Sequence, residues 1–288
     1  MTRQRLPSIA LLLCALLAGC ASKPEPRPHT ASRGVTVLVT PFMMPVLNRQ
    51  RNVRLYLPPS YGTSDKRYPV IYMHDGQNLF DDATSYAGEW GVDETLNDMA
   101  ARQGFEAIVI GLDNGGENRV RELNPFDHPK NGAGEGEAYL AFVVNTLKPV
   151  IDKQYRTLTG PENTAIIGSS MGGLISDYAI HRYPQVFGRA GVLSPAYWTA
   201  DPGIYDYAAQ HPLPLGARVY FSMGGKEGDS ALPDVQRMHT VMTAQRPEPG
   251  AVTLSIVPKA EHNEAAWRAE LPKVLNFLFA PLPTPTAQ

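Results

Sequence analysis

Short apolar runs alternate with helical patterns through most of this chain. Several runs are almost continuous in Val, Ile, Leu and Met, which is typical of strands covered on both faces. The later predicted strands are Pro69–Met73, Glu106–Leu112, Thr164–Gly168, Ala190–Leu193, Arg218–Ser222 and Val252–Val257. The helices predicted between them are Asp93–Gln103, Gly136–Lys153, Met171–Tyr183, Asp234–Thr243 and Ala265–Phe279. This alternation predicts a mostly parallel central sheet with helices on both faces.

The first part of the domain has a different pattern. Val35–Thr40 and Asn52–Leu57 are predicted strands with no helix between them, so we expect them to pair antiparallel. In a mostly parallel sheet the active site lies at the carboxyl ends of the strands. The residues that follow the predicted strands are therefore the candidates for chemistry.

Composition narrows the classes of function. Of the 288 residues, 43% are hydrophobic, which is enough for one substantial core, and we place this domain at residues 35–280. Lys and Arg number 26 against 28 Asp and Glu, with no basic run, so no nucleic-acid partner is expected. Both cysteines, Cys14 and Cys20, precede the domain, and no HExxH spacing occurs. We therefore expect no disulfide in the domain and no metal.

The N-terminus has the features of an export signal. A short basic head precedes the apolar stretch Ile9–Ala18, which is too short to span a bilayer as a stable helix. The sequence Leu17-Ala18-Gly19-Cys20 resembles the lipobox of bacterial lipoproteins. The resemblance implies removal of the signal peptide, residues 1–19, and acylation of Cys20 as a membrane anchor. An ordinary secretory signal cut nearby is the alternative.

The segments that flank the domain have no apolar period. Ala21–Gly34 is rich in Pro, Ser and charge, so residues 20–34 are predicted to be the lipidated cysteine followed by a flexible tether. Ala21 stands where inner-membrane retention usually calls for Asp, which favours the periplasmic face of the outer membrane. Residues 281–288 are predicted to be a disordered tail.

The strongest chemical signal follows the predicted strand Thr164–Gly168. Gly168-Ser169-Ser170-Met171-Gly172 matches the pattern G-x-S-x-G in its required context, between a strand and a helix. Side chains two positions either side of the serine would collide with the neighbouring strand and helix, so glycine is needed there. Ser170 is therefore the predicted nucleophile, at a helix N-terminus that favours developing negative charge. Ser169 lies off the centre of the pattern.

Three stretches are informative together: residues 52–59 (NVRLYLPP), residues 68–77 (YPVIYMHDGQ) and residues 168–173 (GSSMGG). They resemble the esterase D or "putative esterase" family of α/β-hydrolases, and the likeness extends from about residue 35 to residue 280. That family includes feruloyl, acetyl-xylan and siderophore esterases and mycolyltransferases. The resemblance implies an α/β-hydrolase fold and a cofactor-free serine carboxylic-ester hydrolase. Its substrate would be a small-molecule or polysaccharide-linked ester.

A serine nucleophile needs a base and an orienting acid. The chain order in this fold is serine, acid, histidine, and His262 is the histidine in the loop after Val252–Val257, so it is the predicted base. Both Glu227 and Asp229 follow the strand Arg218–Ser222 and are candidates for the acid. The matching loop of the family carries its acid soon after a glycine, which favours Glu227 and leaves Asp229 as the alternative.

Acyl transfer also needs two N–H donors for the oxyanion. One is the backbone N–H of Met171, directly after the nucleophile. The resemblance implies that the other is the backbone N–H of Gln77, in the loop after Pro69–Met73. His74 precedes the nucleophile and fits no position of a triad, so we expect it to be structural, with a hydrogen bond inside its loop.

Substrate contacts are expected from loops at other strand ends. Residues 113–136 are long and polar and should overhang the site. Within them, Arg119, Arg121 and Glu122 resemble a recurring feature of relatives, with a surface ion pair as the alternative. The predicted substrate-binding residues are Trp90, Arg121, Tyr197 and Trp198, while Tyr86 and Phe126 could also line the pocket; core packing is the alternative for the aromatic residues.

Three other functions stay open from the sequence. An acyltransferase would use the same residues but pass the acyl group to an alcohol or sugar. A siderophore trilactone esterase would be a specialised ester hydrolase. A non-catalytic binding lipoprotein would keep the fold without the reaction, although the ordered serine, acid and histidine argue against it.

Overall fold

The computed structural model describes residues 26–245 and 250–280. The predicted signal peptide, Cys20 and the predicted tail lie outside these residues. The strands are β1 Val35–Val37, β2 Phe42–Met44, β3 Arg49–Arg51, β4 Val53–Tyr56, β5 Val70–His74, β6 Ile108–Leu112, β7 Thr164–Ser169, β8 Arg189–Leu193, β9 Arg218–Gly224 and β10 Val252–Val257. The helices are α1 Val92–Gln103, α2 Arg119–Glu122, α3 Gly136–Phe142, α4 Lys148–Gln154, α5 Met171–Arg182, α6 Gly203–Gln210, α7 Ala231–Gln245 and α8 Glu264–Phe279.

Within the described residues, one large sheet has the strand order β1-β4-β6-β5-β7-β8-β9-β10. From β6 to β10 the neighbouring strands run parallel. β4 is antiparallel to β6, and β1 is antiparallel to β4. The predicted mostly parallel sheet and its antiparallel start are confirmed. This order places β7, which leads into the G-x-S-x-G sequence around Ser170, between β5 and β8.

Two hydrophobic cores lie on the two faces of the sheet, because successive side chains of a strand point to opposite faces. In β5, Val70 and Tyr72 belong to one core, and Ile71 and Met73 belong to the other. Helices α3 to α7 supply apolar residues to the first core, and α1 and α8 supply them to the second. Helices on both faces are therefore confirmed as well.

The structure differs from the sequence prediction where elements are short. The hairpin of β2 and β3 was not predicted, because its strands have three residues each and β3 is entirely polar. Neither α2 nor α6 was predicted. The predicted helix Gly136–Lys153 contains a wider turn at Val143–Leu147, where the N–H of Lys148 donates to the carbonyl of Val143. Pro149 follows at once and has no N–H for the regular helical pattern.

Residues 26–34, the part of the predicted tether that the structure describes, lie against the domain. His29 Nδ1 is 2.7 Å from Asp81 Oδ2. The backbone N–H of Ser32 donates to Asp93 Oδ2 at 2.7 Å. Within the described residues, no helix is both long and apolar enough to cross a membrane.

Candidate active site

The candidate site lies along the carboxyl edge of the sheet, as the strand pattern predicted. Six neighbouring strands contribute to it. The residues concerned are Asp75 after β5, Asn114 after β6, Ser170 after β7, Ser194 after β8, Glu227 after β9 and His262 after β10.

Ser170 lies in a strained turn between β7 and α5. Its φ of 57° and ψ of −120° are unfavourable for a residue with a side chain. A Cβ on Gly168 would lie 2.7 Å from the carbonyl carbon of Gly172, and a Cβ on Gly173 would lie 2.8 Å from the carbonyl oxygen of Leu193. The Ser170 N–H donates to the Leu193 carbonyl at 3.0 Å, which fixes the turn against β8. Close approach therefore explains Gly168 and Gly173, whereas a Cβ on Gly172 would have its nearest contact, His74 Cβ, at 3.2 Å, so the collision predicted there is weaker.

Glu227 is the acid that contacts the imidazole. His262 Nδ1 lies 2.7 Å from Glu227 Oε2, while Glu227 Oε1 accepts from the Gly224 N–H at 2.6 Å and from the Ser194 hydroxyl at 2.7 Å. Burial acts to raise the pKa of Glu227, but these hydrogen bonds hold it below its usual value. Asp229 is exposed and makes no hydrogen bond or ion pair to any described residue.

The imidazole and the hydroxyl face the same space. Ser170, His262 and Arg119 all line two adjoining cavities of about 470 and 520 Å³. In the part of the chain that the structure describes, no direct hydrogen bond joins Ser170 to His262. Such bonds commonly tighten only in the Michaelis complex, and the His262 side chain is 44% exposed on a loop. With the Nδ1 proton held by Glu227, Nε2 is the nitrogen that can accept a proton.

A second layer of residues supports the acid. The hydroxyl of Ser194 donates to Glu227 and accepts from Trp267 Nε1 at 2.9 Å. Trp267 also meets the His262 ring edge-on, with centroids 5.0 Å apart. Neither Ser194 nor Trp267 was predicted as part of the site. Ser194 could have been recognised from its position directly after β8, because the ends of the neighbouring strands also carry residues of the site.

The turn after β5 carries the predicted oxyanion donor Gln77. Asp75 has a left-handed backbone, with φ 54° and ψ 48°, and a short 3-10 turn follows at Gly76–Asn78. The N–H of Asn78 is the first in this turn to donate to a carbonyl of the turn, that of Asp75, at 2.8 Å. Gln77 comes one residue earlier, so its N–H has no acceptor within the turn. Met171, as the first residue of α5, has an N–H of the same kind. Such N–H groups have no acceptor inside their own helix and can donate hydrogen bonds to an anion.

His74 has a structural setting, but not the one expected. It is buried at the end of β5, and its Nδ1 lies 2.8 Å from the hydroxyl of Tyr139 in α3. The expected hydrogen bond inside the loop is therefore wrong, because the strand points the ring towards the helix face. Burial lowers the pKa of His74 to about 4, so the ring is neutral near pH 7.

Arg119 forms an ion pair beside the turn at residues 75–78, and the sequence did not predict its partner, Asp75. Arg119 Nε lies 2.6 Å from Asp75 Oδ1, and Arg119 Nη2 lies 2.8 Å from Asp75 Oδ2. Asn114 Nδ2 adds a contact to Asp75 Oδ1 at 3.0 Å. Burial acts to raise the pKa of Asp75, but Arg119 and Asn114 hold it below its usual value. Arg119 thus presents a cation fixed by a bidentate pair to both cavities.

Two predicted substrate-binding residues lie away from the cavities. Arg121 lines neither cavity and forms an ion pair with Glu135. Tyr197 is fully buried, and its hydroxyl donates to Asp177 Oδ2 at 2.6 Å. Both predictions of substrate contact are therefore corrected, since an ion pair and core packing account for these side chains.

The other two predicted residues line the cavities. Trp198 is exposed at the rim of the first cavity. Trp90 lines the second cavity from a buried position, with its ring 5.7 Å from that of Trp267. Tyr86 also lines the second cavity, and Phe126 packs against Tyr178.

Residues 26–245 and 250–280 contain no group of three or more His, Cys, Asp or Glu side chains that could hold a metal ion. The functional groups that line the cavities are the hydroxyl of Ser170, the imidazole of His262 with its carboxylate partner, and the guanidinium of Arg119, and Met171 also lines the first cavity. Such a set can carry out nucleophilic acyl transfer with a proton relay.

Comparison with known proteins gives a family match. The family model described as "Putative esterase" matches residues 45–278. This match confirms the resemblance predicted from the three sequence stretches.

Individual relatives extend the comparison. Protein YbbA of Bacillus subtilis, which is described as uncharacterized, is 29% identical over 248 residues, covering 80% of this chain and 92% of its own. The iron(III) enterobactin esterase of Dickeya dadantii is 26% identical over 246 residues, covering 78% of this chain and 51% of its own. A solved ferulic acid esterase superposes with a TM-score of 0.64 at 19% identity, over 85% of this chain and 98% of that one. This structural likeness confirms the predicted α/β-hydrolase fold.

Proposed function

The chain belongs to the family described as "Putative esterase" and is a carboxylic ester hydrolase, and we propose that it works through an acyl-enzyme on Ser170. The observation that carries the proposal is the 2.7 Å contact of His262 Nδ1 with Glu227, in cavities that His262 shares with Ser170. A carboxylate on Nδ1 leaves Nε2 as the base that faces the hydroxyl.

The proposed reaction has two steps. In the first, His262 takes the Ser170 proton as Oγ attacks the ester carbonyl, and the tetrahedral oxyanion accepts from the N–H groups of Gln77 and Met171. The imidazolium, stabilised by Glu227, then protonates the leaving alcohol as the acyl C–O bond breaks. In the second step, His262 takes a proton from water as the water oxygen attacks the acyl carbonyl. The imidazolium then returns this proton to Ser170 Oγ as the bond between the acyl carbon and Oγ breaks, and the carboxylic acid is released.

The test is the variant Ser170→Ala with Ser169→Ala as its matched control. Loss of the nucleophile should lower kcat/KM for an activated ester such as p-nitrophenyl acetate by on the order of 10⁴ or more. The control should keep most of the activity, and a fluorophosphonate probe should label the wild type and the control but not Ser170→Ala. Residual activity of Ser170→Ala near that of the wild type would disprove the assignment.

The ester itself is identified by a substrate panel. Relatives named as ferulic acid and enterobactin esterases make a feruloyl ester and a siderophore trilactone the first two members, beside simple acyl esters. Adding an alcohol or sugar acceptor and analysing the products separates hydrolysis from acyl transfer. A wild type that is neither labelled nor active on any member would favour a binding protein.

We further propose that the protein is an exported lipoprotein on the periplasmic face of the outer membrane. The support is the sequence Leu17-Ala18-Gly19-Cys20, followed by Ala21. In the producing bacterium the wild type should incorporate labelled fatty acid and sediment with membranes, and Cys20→Ala should do neither. An unlabelled wild type would contradict the proposal.

A further inference from the structure

The described part of the predicted tether contacts a loop that borders the second cavity. We call residues 27–32 the strap and residues 81–87 the rim loop. The strap carries the cation Arg27, and the rim loop carries Asp81 and Asp82, so the two segments have opposite charge. Several hydrogen bonds and ion pairs join the strap to the rim loop.

Arg27 makes most of these contacts. Its Nη1 lies 3.3 Å from Asp82 Oδ1 and 3.0 Å from the hydroxyl of Ser85. Its Nη2 donates to the carbonyl oxygens of Ser85 and Tyr86. One guanidinium therefore fixes both the side chains and the backbone of the rim loop, as the planar group of arginine allows.

The next residues of the strap continue the attachment. His29 Nδ1 lies 2.7 Å from Asp81 Oδ2, and the Thr30 N–H donates to Asp81 Oδ1 at 3.2 Å. In return, the Asp82 N–H donates to the hydroxyl of Thr30 at 2.8 Å. A flexible tether would not need reciprocal bonds of this kind.

The rim loop connects the strap to the reaction centre. Tyr86 and Ala87 line the second cavity, which Ser170 and His262 also line. The hydroxyl of Thr84 donates to the carbonyl of Gln77 at 2.8 Å, and the N–H of Tyr86 donates to Asn78 Oδ1 at 3.0 Å. The rim loop thus directly contacts the turn that carries the predicted oxyanion donor Gln77.

Apolar packing contributes little to the middle of this loop. Tyr86 is 88% exposed, and Thr84 and Ala87 are exposed as well. Hydrogen bonds from outside the loop must therefore restrict its position. We propose that the strap holds the rim loop in place, with Arg27 as a positioning residue, and so sets how tightly the enzyme binds the part of the ester that lies against Tyr86.

The first test measures the loop itself and does not depend on the esterase reaction. Hydrogen–deuterium exchange of residues 81–87 should be at least tenfold faster in full-length Arg27→Ala than in the wild type. The matched control is Arg33→Ala, which removes the same charge from an exposed side chain that makes no hydrogen bond or ion pair to any described residue. Unchanged exchange in Arg27→Ala would overturn the proposal.

The second test rests on the proposed function and uses a bulky aryl ester. Arg27→Ala should raise KM about fivefold with kcat within twofold of the wild type, and Tyr86→Ala should raise KM in the wild type but add nothing to Arg27→Ala. Full additivity, or faster exchange without any change in KM, would overturn the positioning role and leave only a structural contact. If the wild type hydrolyses no ester, the proposed function fails and the exchange measurement still decides whether the strap holds the loop.

Discussion

The two sides of Ser170 are built in different ways. On the side of β8 to β10, neutral and charged groups form a chain of hydrogen bonds from Trp267 through Ser194 and Glu227 to a half-exposed His262. On the side of β5 and β6, a bidentate ion pair of Arg119 and Asp75 stands beside helix-start N–H groups.

The difference follows from what each side has to do. In the proposed mechanism the base exchanges its proton with the substrate and with water, and the position of His262 on a loop with access to solvent suits that role. An oxyanion site works by being oriented before the charge develops, so buried groups in fixed contacts suit it. We therefore expect changes on the first side to affect mainly the rate, and changes on the second side to affect stability as well.

The largest expected effect sharpens the first half of this comparison. Glu227→Gln keeps the shape of the side chain but removes the charge that stabilises the imidazolium, so kcat should fall by on the order of 10³. The chain supplies a matched control in Asp229→Asn, in the same loop. Steady-state kinetics on one activated ester measures kcat of both variants. An equal loss of kcat in Glu227→Gln and Asp229→Asn would show that the acid was wrongly assigned.

The residues of this first side could be predicted from the sequence because chain order and strand ends locate them. Ser170, Glu227 and His262 each follow an apolar run that is long enough to be recognised as a strand. Ser194 follows a strand too, but a serine beside a proline has no distinctive pattern of its own. Trp267 lies inside a helix, and only the packing of that helix brings it to the site.

The second side could not be predicted in the same way. Arg119 and Asp75 are 44 residues apart, and their pairing depends on how a polar loop folds over the sheet. The pattern of the loop gives no period that would distinguish Arg119, which faces the cavities, from Arg121, which does not. The contacts of the strap could not be predicted for a similar reason, since composition gives no information on hydrogen-bond partners that are 50 or more residues away.

The next effect concerns stability on the second side. Arg119→Met leaves the carboxylate of Asp75 buried without its main partner and should lower the free energy of unfolding by about 3 kcal/mol. Arg121→Met removes a more exposed pair with Glu135 and should cost about 1 kcal/mol or less. Urea unfolding of both variants measures the difference. Equal losses would mean that burial does not distinguish the two arginines.

A pH effect on stability should come from the same side. The pKa of His74 is lowered by burial from 6.5 to about 4, so the unfolded chain binds a proton that the folded chain resists. Stability should therefore fall as the pH drops from about 6.5 towards 4, with a contribution at pH 5 of roughly 2 kcal/mol. Thermal unfolding between pH 7 and pH 5 should show a shallower acid slope for His74→Gln, and parallel curves would contradict this origin.

The smallest expected effect concerns the hydrogen bonds from Trp267 through Ser194 to Glu227. It tests whether each bond supports the next one. Ser194→Ala removes a hydrogen bond to an ionised carboxylate, which contributes about 1.5 kcal/mol, so kcat should fall roughly tenfold. Trp267→Phe removes only the donor behind Ser194 and should lower kcat less than threefold, because the Ser194–Glu227 bond remains. If both variants lose activity equally, the indole matters through its edge-on contact with His262 and not through the serine.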